Sequence, residues 1–175
     1  MNTLTIGRPA ADEHHEYYAR YISRVPDGDL IDVLRQQLTE TVAALRGVPE
    51  SRGDFAYAPG KWSIKKVIGH ISDVERVMFY RALTFARNDK TDLPGFDENQ
   101  WAEDFNTADR TLADLIEEFE GVRNATIQFA KHLTSEEQER RGKANGQTVS
   151  VRALLYIIAG HERHHLGLLR ERYSV

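Results

Sequence analysis

The chain has 175 residues, 41% of them hydrophobic and 29% charged, with a formal net charge of -4 and no cysteine. That length and balance suit a soluble globular protein, expected as a single domain over residues 1–175, and the lack of a basic surplus argues against a nucleic-acid partner. The absence of cysteine excludes disulfides, thiolate nucleophiles and cysteine-ligated metal. No apolar run approaches the ~20 residues that span a bilayer, and the N-terminus lacks the apolar core of a signal peptide, so no membrane partner and a cytoplasmic location are expected.

In chain order, Tyr17, Tyr18, Tyr21 and Ile22 predict a short N-terminal helix. The first long helix runs from about Asp29 to Gly47, on a stripe of Leu30, Val33, Leu34, Leu38, Val42 and Leu45, with Gly47 and Pro49 as its stop. The second begins at Ser63, a candidate N-cap, and reaches about Asn88 on Ile64, Val67, Ile68, Ile71, Val74 and Met78. Residues 89–104 form a long polar and aromatic connection. The third long helix runs from about Thr107 to Leu133 on Leu112, Leu115, Ile116, Phe119, Val122 and Ile127. Thr134 and Glu137 have capping-box spacing and predict a short extra helix. The fourth long helix starts at Thr148 or Ser150 and ends near Arg172. No strand-like alternation competes, so the expected fold is all-α: a four-helix bundle with a long crossover after the second helix.

The seam of the fourth helix reads Val151, Leu154, Ile158, His161, His165, Leu168. Two imidazoles stand where leucines would, four residues apart, close enough to converge on one ion. His70 borders the stripe of the second helix. Three imidazoles from two facing helices would make an open site for zinc, nickel, copper or iron, with one position left to water or substrate. From spacing alone, buried structural histidines satisfied by hydrogen bonds remain the commoner outcome. His164 falls off the seam, and His14 and His15 read as surface residues. The string His161-Glu162-Arg163-His164-His165 satisfies H-E-x-x-H, but a protease of that kind needs a further ligand downstream and only ten residues follow.

Three stretches resemble a known family: YYARYISRVPDGDLIDVLRQQL; PGKWSIKKVIGHISDVERVMFYRALTFAR with LPGFDENQW; and TVSVRALLYIIAGHERHHLGLLRERY. Together they resemble the DinB superfamily, most closely its YfiT-like branch of metal-dependent hydrolases. The resemblance implies a four-helix bundle with a histidine triad, which maps onto His70, His161 and His165. It also implies zinc or nickel as cofactor, and a homodimer. Its other members include transferases dependent on bacillithiol or mycothiol.

The favoured expectation is a metal-dependent hydrolase of a small-molecule substrate, in which the ion would lower the pKa of water toward about 7. Asp73, Glu75 and Glu162 are candidates for base or proton shuttle; each also reads as an ordinary solvated helix-face carboxylate, or as a contact to a ligand imidazole. Trp62, Phe96, Asp97 and Trp101, with Tyr57, lie in loops that could cover the site and touch substrate, or simply pack. A thiol transferase is the alternative, with Lys61, Lys65 and Arg81 available to a carboxylated thiol. A non-catalytic bundle stabilised by metal is the third reading.

Overall fold

The structure, a computed structural model, describes residues 5–175; the first four positions of the expected 1–175 unit lie outside it. After two short 3-10 turns the chain forms α1 (Ala19–Ile22) and then α2 (Leu30–Arg46), where the Asp29 carboxylate accepts from the Ile31 N–H at 3.0 Å. Side chains likewise take up the free N–H groups at the start of the other long helices. Ser63 caps α3 (Ile64–Ala86), Asp97 caps α4 (Glu98–Asp104), and Thr111 with Asp114 forms a capping box on α5 (Leu112–Ala130). The predicted Thr134/Glu137 box starts α6 (Ser135–Glu139), and Ser150 caps α7 (Val151–Tyr173). The third long helix thus begins at Leu112 rather than Thr107, because the Thr111 box fixes its first turn.

One expectation is corrected. Residues 141–150 form a β-hairpin, β1 (Arg141–Ala144) paired antiparallel with β2 (Gln147–Ser150). Asn145 and Gly146 have φ of 53° and 71°. A two-residue turn with both residues left-handed matches the twist of the strands, and Asn-Gly is the pair that adopts it most readily. Because β2 occupies 147–150, the last helix starts after Ser150 and not at Thr148. Leu93, in the long connection, adds a parallel bridge to Ala144, donating its N–H to the Lys143 carbonyl at 3.0 Å.

The long helices pack in the circuit α2–α5–α3–α7, so that consecutive members α2 and α3, and again α5 and α7, lie diagonally opposite. Two apolar clusters fill the bundle. One holds the first turns of α2 and α7 and the last turns of α3 and α5; the other holds the opposite ends. The neighbours α3 and α5 therefore run parallel, which requires the connecting segment 87–111 to traverse the bundle. This is the crossover that its length predicted. Between the clusters lies a buried polar layer: Gln37 and Thr41 on α2, Ser72 and Glu75 on α3, Arg123 and Thr126 on α5, and His161, Glu162 and His165 on α7. Among the described residues no helix is long and apolar enough to cross a membrane.

Candidate metal centre

His70 on α3 and His161 and His165 on α7 come together at the level of this polar layer. The His161 Nε2 lies 3.1 Å from the Nε2 of His70 and 3.1 Å from that of His165. All three rings are buried. Their surroundings follow from local sequence. The Trp62 ring, one residue before the α3 cap, lies against His70 at 4.7 Å, and Tyr21 of α1 meets His161 edge-on at 5.4 Å. Gly160 permits the second contact: a Cβ there would overlap the Tyr21 backbone carbonyl.

Burial, reinforced by the neighbouring imidazoles, holds His161 and His165 well below the ordinary histidine pKa. Burial also lowers His70, to about 4. The rings are accordingly neutral at physiological pH, the state in which an imidazole nitrogen can donate a lone pair.

A neutral Nε2 offers either one N–H or one lone pair. His161 Nε2 faces two other Nε2 atoms, so hydrogen bonding satisfies one of these approaches well and leaves the other compromised. A cation accepting three lone pairs satisfies all of them. Ligand nitrogens at ~2.0–2.1 Å from a tetrahedral ion stand roughly 3.3 Å apart, close to the separations found. In that arrangement each Nδ1 carries the proton; the Nδ1 of His165 is buried with no protein partner. The donor set thus fits a transition metal. Among the described residues the converging group consists of these three histidines alone.

Two cavities reach the trio from different sides. One, of about 380 Å³, is bounded by His161, Tyr18, Tyr21, Met78, Arg81 and Phe96 among others. The other, of about 250 Å³, touches His165, Trp62, Tyr57 and Lys61.

Two of the three carboxylates are not solvated helix-face groups. Glu75 and Glu162 are 2% and 0% exposed. Glu75 takes both oxygens to the wholly buried Arg123, at 2.9 Å from Nε and 2.9 Å from Nη2. Glu162 accepts from the Thr41 hydroxyl, and its other oxygen is 4.0 Å from Arg123 Nη1. Burial raises the Glu162 carboxyl above its ordinary pKa, opposed by Arg123 and Thr41. Asp73 is half-buried and bonded to Arg76 at 3.2 Å, and it lines a separate apolar cavity with Trp101. None of the three carboxylates has a hydrogen bond to the trio.

Of the loop residues, Trp62 and Phe96 each line a cavity that reaches the trio. Trp101 packs against Phe96 with tilted rings, centroids 4.9 Å apart, and is 45% exposed. Asp97 is engaged as the α4 cap, accepting from Asn99 and Gln100 at 3.0 Å. Lys65 pairs with Glu50 and Asp54. Sequence reasoning missed Arg123, Thr41, Gln37 and Tyr21. The first three stand at stripe positions of their helices, where only apolar residues had been sought.

A family model of the DinB superfamily matches residues 33–169, a span that includes all three histidines. The chain belongs to the DinB superfamily. One relative in it, from Oceanobacillus iheyensis, is named "Putative metal-dependent hydrolase OB0413"; it is 27% identical over 142 residues, 80% of this chain and 79% of that one. A Bacillus subtilis relative, "Putative metal-dependent hydrolase YfiT", is 25% identical over 157 residues, 86% of this chain and 85% of the other. Among solved structures, one described as "YfiT from Bacillus subtilis is a probable metal-dependent hydrolase with an unusual four-helix bundle topology" superposes with a TM-score of 0.67 at 16% identity, covering 96% of this chain and 94% of that one. A DinB-like protein of Bacillus subtilis gives 0.59 at 19% identity, covering 81% and 87%. At those identities the structural likeness concerns the fold, and the parallel α3–α5 pair described above gives this DinB bundle its departure from up-down-up-down order.

Proposed function

We propose that this DinB-superfamily protein is a metal-dependent hydrolase of a small organic substrate, with His70, His161 and His165 as ligands of zinc or nickel. The observation that carries the reading is the convergence of three buried, neutral Nε2 atoms, two of them 3.1 Å from the third, with cavities on two sides. All-imidazole ligation suits zinc and nickel and does not suit magnesium or calcium. Three protein ligands, where closed structural zinc sites have four, leave room for an exchangeable guest. A divalent ion held there supplies Lewis acidity and brings the pKa of a water toward neutrality. The chain's own part is to keep the imidazoles deprotonated, to hold their rings between Trp62 and Tyr21, and to shape the space beside them. The names of the relatives point the same way.

A second reading, a thiol-dependent transferase, is favoured by one feature: the cavities at His161 and His165 give separate approaches to the trio, as two substrates would need.

The test is elemental analysis of protein purified without a metal-affinity step, then reconstituted with zinc or nickel. About one equivalent is expected. His70→Ala, His161→Ala and His165→Ala should each lose it, and His164→Ala should keep it. Less than ~0.2 equivalents bound after reconstitution would refute the site. Turnover of ester and amide substrates, with and without an added low-molecular-weight thiol, separates the two reactions.

A further inference from the structure

Two arginines of the bundle are almost completely buried, and they are treated differently. Arg123 is met by Glu75 and Glu162. Arg81, 4% exposed, has no carboxylate within ion-pair distance among the described residues. Its Nη2 donates to the Pro94 carbonyl at 2.9 Å, its Nη1 approaches the Met78 sulfur at 3.7 Å, and the guanidinium lies 5.7 Å from the centre of the Phe96 ring. The Tyr18 hydroxyl is its other polar neighbour. A buried charge without a counter-charge is costly, and a guanidinium has five N–H donors to satisfy.

Arg81 lines the same 380 Å³ cavity as His161. On α3, His70, Val74, Met78 and Arg81 follow one another at steps of four, four and three, so they share a face. Eleven residues of helix separate the Cα atoms of His70 and Arg81 by about 16 Å. The Arg81 side chain leans back toward the N-terminal end of α3, as its contact with Met78 attests, which shortens the gap to the trio to on the order of 10 Å. Val74, Met78 and Ile157 make the intervening wall apolar. Glu98 also borders the cavity but forms no ion pair with Arg81.

We propose that Arg81 is the anion-binding element of this cavity, and that the substrate is a small molecule with a carboxylate received by Arg81, a short apolar middle, and its reacting group at the histidine trio. The planar fork of arginine matches a carboxylate through two parallel hydrogen bonds. The substrate assignment rests on the trio being a metal centre; the anion site itself does not.

The experiment measures binding by calorimetry to the full chain reconstituted with zinc. The probes are acetohydroxamate, which needs only the metal, and the monohydroxamates of adipic and suberic acid, each compared with its uncharged terminal amide. At least one of the two acids should bind ~10-fold or more tighter than its amide. In Arg81→Met this preference should fall below about 3-fold while acetohydroxamate affinity is retained, and Arg81→Lys, which keeps charge without the fork, should fall between. Acids and amides binding the native protein equally, or an undiminished preference in Arg81→Met, would overturn the proposal. The comparison on the native protein stands even should a variant not fold. Failure of acetohydroxamate to bind instead refutes the metal centre. In that case adipate is titrated into the metal-free protein: saturable binding lost in Arg81→Met upholds the anion site, and no binding overturns it.

Discussion

Replacing Arg123 by methionine tests whether the polar layer is held together by its ion pair. Arg123 is 0% exposed and bonds Glu75 through two nitrogens at 2.9 Å. Its removal leaves the Glu75 carboxylate, 2% exposed, with no counter-charge. Breaking a buried pair in this way costs about 3–5 kcal/mol. For a chain of this size each kcal/mol corresponds to about 2–4 °C, so the melting temperature should fall by roughly 6–20 °C. The measurement belongs on metal-free protein with chelator present, since a bound ion would add its own stabilisation. Urea titrations should give a lower midpoint at unchanged slope. The Glu75→Leu/Arg123→Met double variant removes both charges and, measured beside the Glu75→Leu single, should recover most of the loss, giving a coupling of ~3 kcal/mol. A single variant within about 1 kcal/mol of the native protein, or a double variant as damaged as the sum of its parts, would refute the reasoning.

Gly160→Ala should destabilise by about 1–3 kcal/mol, although alanine is the better helix former by roughly 1 kcal/mol, because the added Cβ meets the Tyr21 backbone rather than a movable side chain; a raised melting temperature would show that α1 does not pack as described. Glu13, 1% exposed, bridges to Arg152 on α7. Burial alone would raise its pKa, but the hydrogen bonds from Arg152, the Ala10 N–H and Ser150 hold it at about 2 against an ordinary 4.5. The unfolded chain therefore takes up this proton first. The contribution, roughly 2–3 kcal/mol, is complete above about pH 4.5 and is lost as the pH falls toward 2. Urea unfolding of Glu13→Gln should show its deficit at pH 7 and a smaller one at pH 4; an equal deficit at both would rule out the linkage.

The long helices were legible because each carries a periodic apolar stripe, bounded where the sequence marks it by the Ser63 cap or by Gly47 and Pro49 as a stop. The histidines were legible for a related reason: imidazoles interrupt the α7 seam four residues apart and His70 borders the α3 stripe, and the resemblance to the DinB superfamily maps its triad onto the same three residues. The hairpin escaped because strands of four residues reading Arg-Gly-Lys-Ala and Gln-Thr-Val-Ser carry no alternation. Their signal was the Asn145-Gly146 turn, whose backbone conformation specifies a hairpin whatever flanks it.

The placement of Glu162 turns on a matter of angle. Glu162 adjoins His161 in sequence, but one residue along a helix is about 100° around it, and that turn carries Glu162 to the face where α2 presents Thr41. Arg123 sits four residues after Phe119 and four before Ile127, squarely in the α5 stripe. A search for apolar periodicity passes over it and takes Val122 instead, yet Val122 is only half-buried. Read as a polar interruption of a buried stripe, Arg123 belongs with Gln37, Thr41, Glu75 and His161. That they share one level follows only once α3 and α5 are known to run parallel and opposite to α2 and α7, because helix direction decides which turns lie side by side. The layer is therefore a property of the topology, and the crossover at 87–111 is what brings Arg123 opposite Glu75.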